Sequence, residues 1–178
     1  MVIHINSERE HFRCFVSYSS VDAELANRLC RDLNAMGMPC WEYVQDTVAG
    51  RKVWAKIGRP IKDDDKMLTI CSQNSLQMDG VPREIERALQ KESLIKTANN
   101  RRKKRAETRG MEPELLNEDV LFPIRLDDYM LNEWQHEQKV DVLATHVLDF
   151  SEWRNEAKYQ SALRQLLYDI NPKTRWPR

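Results

Sequence analysis

The sequence predicts an α/β fold, a five-stranded parallel sheet with helices packed on both faces. Two observations predict it. Short runs rich in β-branched and aromatic residues recur along the chain, and each is followed by a stretch whose apolar residues repeat at helical spacing. Strands that alternate with helices in this way form parallel sheets covered on both sides.

The elements follow in order. "CFVSY" (14–18) is a compact buried-strand segment. Ser20 then offers an N-cap, with Asp22 and Glu24 in the first turn, where the helix dipole favours acidic groups. Leu25, Ala26, Leu29, Cys30, Leu33 and Met36 keep helical spacing, and Gly37 stands where a helix ends. "MPCWEY" (38–43) is a second strand, with Pro39 tolerable at its start. A loop over 44–51 leads to a short helix holding Val53, Trp54, Ile57 and Ile61. The charged turn "KDDDK" enters a third strand, "KMLTICS" (66–72).

A helix opens within "DGVPREIERALQKES" (79–93), with Pro82 near its first position and Ile85, Ala88 and Leu89 on its apolar side. Over 97–110 that stripe fails and charge takes over. This stretch reads as a frayed helical extension or a solvated insertion, closed by Gly110 and Pro113. "VLFPIRL" (120–126) is a fourth strand, 132–145 a helix, "HVLDF" (146–150) a fifth strand, and 154–169 a terminal helix. Residues 1–11 form an N-terminal segment, 12–171 one domain with the charged stretch 97–118 inside it, and 172–178 a tail.

Bulk composition limits the function classes. In 178 residues, 28 basic side chains balance 28 acidic ones, so there is no global field to attract nucleic acid or an anionic membrane. The run "RRKKR" (101–105) suits phosphate contacts but lacks interleaved aromatics, and nucleic-acid binding is not expected. No apolar run is long enough to span a bilayer, and "MVIHINSEREHF" lacks a signal-peptide core. Cys14, Cys30, Cys40 and Cys71 are widely spaced in apolar surroundings, as reduced core residues of a cytoplasmic protein would be. Five glycines build neither a G-x-G-x-x-G nor a P-loop, and no C-x-x-C, H-E-x-x-H or G-x-S-x-G occurs. Neither metal nor cofactor is expected. Asp63–Asp65 reads as a solvated turn at the amino end of the third strand.

In parallel sheets ligands bind beyond the carboxyl ends of the strands. That rule gathers Tyr18, Ser19 and Ser20, the 43–50 stretch, Ser72, Asn74 and Ser75, and Asp127 to Tyr129. Glu84 leaves the third strand toward the same rim.

Four motifs carry a resemblance. "FVSYSSVDAELANRL" (15–29), "CWEYVQDTVAG" (40–50), "CSQNSLQMDGVPREIERAL" (71–89) and "LFPIRLDD" (121–128) resemble, in order and spacing, the successive motifs of a bacterial Toll/interleukin-1 receptor (TIR) domain. The resemblance covers roughly residues 12–170. It implies a flavodoxin-like three-layer sandwich and, for the NAD⁺-cleaving members, scission of the nicotinamide–ribose bond. The products are nicotinamide with ADP-ribose or a cyclic isomer, and many bacterial members signal in antiviral defence. The family's W-V-x-x-E-I pattern falls on "GVPREI", which places the catalytic carboxylate at Glu84, with Gly80 in the tryptophan position.

The resemblance further implies that Tyr18, Ser19, Ser20, Tyr43, Asp46 and Ser75 line the NAD⁺ pocket. Gly50 and Trp54 belong to or flank the loop through which such domains self-associate. A downstream effector that senses the product is the remaining implied partner. Each position has a plainer reading beside it. Glu84 could be only a first-turn charge worth a few tenths of a kcal/mol. Tyr18 and Ser19 could serve the turn and cap, and Trp54 the core. Glu86 is the internal control, because it points elsewhere. The alternatives to NAD⁺ cleavage are a non-catalytic module working by TIR–TIR assembly and a base-exchange enzyme.

Overall fold

Five strands lie side by side in the order β2-β1-β3-β4-β5, every neighbouring pair parallel. The computed structural model describes residues 13–44 and 65–171. The elements are β1 (Arg13–Tyr18), a 3-10 turn (Ser20–Asp22), α1 (Ala23–Ala35), β2 (Cys40–Val44), β3 (Asp65–Cys71), α2 (Gln73–Leu76) and α3 (Gly80–Arg109). They continue with β4 (Leu121–Arg125), α4 (Tyr129–Asn132), α5 (Lys139–Ala144), β5 (Leu148–Asp149) and α6 (Glu156–Ile170). This is the flavodoxin-like strand order, and the expected fold class holds.

Side-chain alternation along the strands divides the core in two. Val16 and Tyr18 of β1, Leu68 and Ile70 of β3, and Phe122 and Ile124 of β4 pack against α1 and α6. Phe15, Met67, Cys71 and Leu121 face the other way, toward Val81, Ile85, Ala88 and Ile95 of α3 and the α4–α5 region. Gly37 ends α1 with φ +80, a left-handed conformation that glycine adopts without strain.

Several expected boundaries move, each for a visible reason. The helical extension expected after residue 97 is present and does not fray: α3 runs unbroken for 30 residues to Arg109 and stops at Gly110, φ +64. Buried Asn99 stabilises that extension. Its Nδ2 donates to the Leu116 carbonyl and to Glu118, and its Oδ1 accepts the Leu116 N–H. The single helix expected over 132–145 is two short ones, because the chain turns after Asn132 to bury the Trp134 indole, which is 3% exposed. The fifth strand shortens to Leu148–Asp149. Asp65 is the first residue of β3, and so at the amino end of the sheet. The expected loop and helix around Val53, Trp54, Ile57 and Ile61 lie outside the described residues, except Val44, which ends β2. Among the described residues no helix is long and apolar enough to cross a membrane.

Candidate active site

The strand order reverses between β1 and β3, the point beyond whose strand ends sheets of this kind bind their ligands. The sequence fills that point with small hydroxyl residues around one carboxylate. Asp22 Oδ2 accepts hydrogen bonds from Ser72 Oγ at 2.5 Å, Ser75 Oγ at 2.8 Å and Ser19 Oγ at 3.1 Å. The Ser19 N–H donates to Ser75 Oγ at 3.0 Å, and Ser72 caps α2 by accepting the Ser75 N–H at 3.0 Å. Three serines from two crossovers thus share one acceptor. Charge-assisted bonds of this kind are roughly twice as strong as neutral ones, so the two loops are held in a single arrangement.

Two further contacts extend this floor toward β4. Asp127 accepts the Gln73 N–H at 2.9 Å and the Tyr129 N–H at 3.0 Å, tying the start of α2 to the loop that enters α4.

Glu84 lies on the first turns of α3, between Val81 and Ala88 on the sheet-facing side, and is only 2% exposed. Burial pushes its carboxyl above the ordinary carboxylate range. Arg87, one turn on, opposes this through its charge and a 3.2 Å hydrogen bond to Glu84 Oε1. Glu86 is exposed and bonded to Gln90 at 3.1 Å, so the internal control faces solvent.

The other expected site residues separate. Ser19 and Ser75 are buried and meet through Asp22. Ser20 is exposed and begins the 3-10 turn; the N-cap position of α1 falls to Asp22, not to Ser20. The Tyr18 ring is buried in the α1–α6 core, and its hydroxyl donates to Glu42 at 2.9 Å. Tyr43 lies in β2 as the register partner of Ser17. Asp46, Gly50 and Trp54 lie outside the described residues.

Asp22 is the residue that sequence reasoning misplaced. It was readable only as a first-turn charge, yet it is the hub of the cluster. The signal was the S-x-x-D spacing from Ser19, the arrangement of a capping box, followed by S-x-x-S at Ser72 and Ser75. Arg87 and the hydroxyls of Ser17 and Thr69 were also unassigned; the last two are buried without a hydrogen-bond partner.

No curated protein matches the chain. A family model does: residues 14–101 match that of the TIR domain, a span from β1 into α3 that includes the serine cluster and Glu84. The sheet order continues that pattern through β4 and β5. A TIR domain is thus present over residues 14–101.

Proposed function

We propose that this TIR domain cleaves the nicotinamide–ribose bond of NAD⁺, with Glu84 as the essential carboxylate. The observation that carries the reading is a glutamate almost wholly buried at the start of α3, on the segment leaving β3 at the reversal of strand order. A carboxylate removed from water is costly to keep without a task, and perturbed groups of this kind concentrate at functional sites.

The chemistry suits so small a set of groups. Nicotinamide in NAD⁺ carries a positive charge on its ring nitrogen and departs as a neutral molecule, so no acid is needed to assist it. Positive charge then develops on the ribose as an oxocarbenium ion. An ionised Glu84 beside that centre stabilises the charge, and the dry surroundings strengthen the attraction. Arg87 favours the ionised carboxylate against the cost of burial. Water attack yields ADP-ribose, and attack by a base of the adenine ring yields a cyclic isomer. NAD⁺ is the substrate in this reading, and no resident cofactor takes part. The hydroxyl cluster on Asp22 fixes the floor of the site, with Ser19, Ser20, Ser75, Tyr43 and Asp46 as the substrate-side positions, whereas Tyr18 serves the α1–α6 core. Self-association through Gly50, Trp54 and their neighbours completes the active assembly. The product signals to an effector, in the cytoplasm of a bacterial cell under viral attack.

One observation favours the second reading, a non-catalytic TIR–TIR interaction module. Glu84 already has a cationic partner in Arg87, which a purely structural glutamate would also use. Incubating concentrated protein with NAD⁺ and measuring nicotinamide separates the two. Release that disappears in Glu84→Ala and survives in Glu86→Ala supports the enzyme. No release from concentrated wild type rejects it in favour of the module.

A further inference from the structure

The sheet face beneath α3 changes character partway along. Its first row, Phe15–Met67–Leu121, is apolar and in register. The next row on that face is Ser17–Thr69–Pro123. Both hydroxyls in it are fully buried and have no hydrogen-bond partner, although the other buried serines, Ser19, Ser72 and Ser75, are bonded. On the opposite face the neighbouring rows, Val16–Leu68–Phe122 and Ile70–Ile124, stay apolar. An orphaned buried hydroxyl is destabilising, and two side by side call for a reason.

Glu84 is carried by the helix that crosses this face. α3 packs across β1, β3 and β4. Two turns after Glu84, Glu92 Oε1 accepts the N–H groups of Val120 and Leu121, both at 2.9 Å, which fixes that point of α3 at the start of β4. Two helical turns rise about 11–12 Å, the length of roughly three to four strand residues. Counted from Leu121 and its register partner Met67, this sets Glu84 level with Ile70 and Cys71, just beyond the Ser17–Thr69 row. Two buried hydroxyls and the buried carboxylate of the overlying helix are the kinds of polar partner that a buried water needs.

We propose that Ser17 and Thr69 are positioning residues for Glu84: their hydroxyls bind one water beneath α3 and through it donate hydrogen bonds to the Glu84 carboxylate. The inference rests on Glu84 being the working carboxylate. It also explains why the row is polar on one face only. The water-borne bond favours the charged form and fixes the direction in which the carboxylate points, so the hydroxyls act with Arg87 against the cost of burial. Beyond the row, toward the carboxyl ends of β3 and β4, the titratable groups are Cys71 on β3, Arg125 and Asp127 at the end of β4, and Tyr129 in α4; Arg13 precedes the row on β1 and lies over the Trp41 ring. Cys71 is buried, with its thiol pushed up to about 12, so it adds no charge at neutral pH. Arg125 is engaged by Asp128 and Asp149, and Asp127 by two backbone N–H groups.

The test is a carboxyl-carbon NMR titration of protein labelled at the glutamate carboxyls, with the Glu84 signal identified by its loss in Glu84→Gln. Ser17→Ala, Thr69→Val and the double variant are compared with wild type, alongside thermal unfolding and the pH profile of nicotinamide release. The expected result is a Glu84 midpoint raised by about one pH unit in the double variant, with Tm lowered at neutral pH and the gap closing in acid. The acid limb of the activity should move with it. An unmoved midpoint in all three folded variants would overturn the proposal, and a lowered Tm with an unmoved midpoint would reduce the two residues to packing. The titration needs no turnover. If wild type releases no nicotinamide yet the midpoint moves, the catalytic reading fails and the positioning contact stands.

Discussion

Asp22 and Ser75, 53 residues apart in the chain, meet at 2.8 Å where the strand order reverses. The same oxygen of Asp22 also takes the hydroxyls of Ser19 and Ser72. Removing it leaves three hydroxyls without their shared acceptor. Asp22→Ala is expected to cost about 2–4 kcal/mol in denaturant unfolding, more than Ser75→Ala, which removes one donor and keeps the charge satisfied. Equal losses would mean that Asp22 is not the hub.

The raised carboxyl of Glu84 makes two predictions of opposite sense. Activity requires the ionised form, so nicotinamide release should fall on acidification with a midpoint above the ordinary carboxylate range. Stability runs the other way. A carboxyl whose folded-state value exceeds its unfolded one is most favourable to folding below the unfolded value, and that contribution is lost as pH rises through the folded value. Glu84→Gln should therefore unfold at a higher temperature than wild type at neutral pH, and the gap should close in acid. The same variant should lose about 100-fold or more in turnover.

Gly37 and Gly110 are the two described glycines at positive φ, and an added Cβ would meet no atom at either. Only backbone strain then opposes substitution. Gly37→Ala should cost about 1–2 kcal/mol with no change in the denaturant slope.

The four cysteines, which read as isolated core residues, include one close pair. The sulfurs of Cys30 on α1 and Cys40 on β2 are 2.8 Å apart, both thiols free. A small closing motion brings them to the bond length of about 2.05 Å. Peroxide treatment should therefore join them, with water as the reduced product, and leave two titratable thiols after unfolding. Cys40→Ser should abolish the bridge, and four thiols in peroxide-treated wild type would contradict the pairing.

Much of this architecture was readable because its elements obey simple periodicities. β1, β3 and β4 are short apolar runs buried on both faces, and their limits moved by a residue at most. α1 announced itself through spacing and through Gly37. What failed depended on tertiary contacts. The charged end of α3 lacks an apolar stripe and is kept helical by Asn99 reaching the 116–118 segment. Lys66 was read as the charged residue entering the third strand, yet it is 3% exposed, with Nζ bonded to Asn117 and to the Asp119 carbonyl. At the site, Glu84 came from a motif and Ser19 and Ser75 from position on the rim. Asp22 looked like any helix-start acid, because nothing local shows that a side chain will collect donors from a loop 50 residues away.

The central claim is that Glu84 carries NAD⁺ cleavage, and its most direct test is chromatography of NAD⁺ incubated with concentrated protein. Wild type and Glu86→Ala should release nicotinamide at similar rates, while Glu84→Ala should release none above background, and the co-product should identify hydrolysis or cyclisation. Undiminished release from Glu84→Ala would contradict the account at its centre.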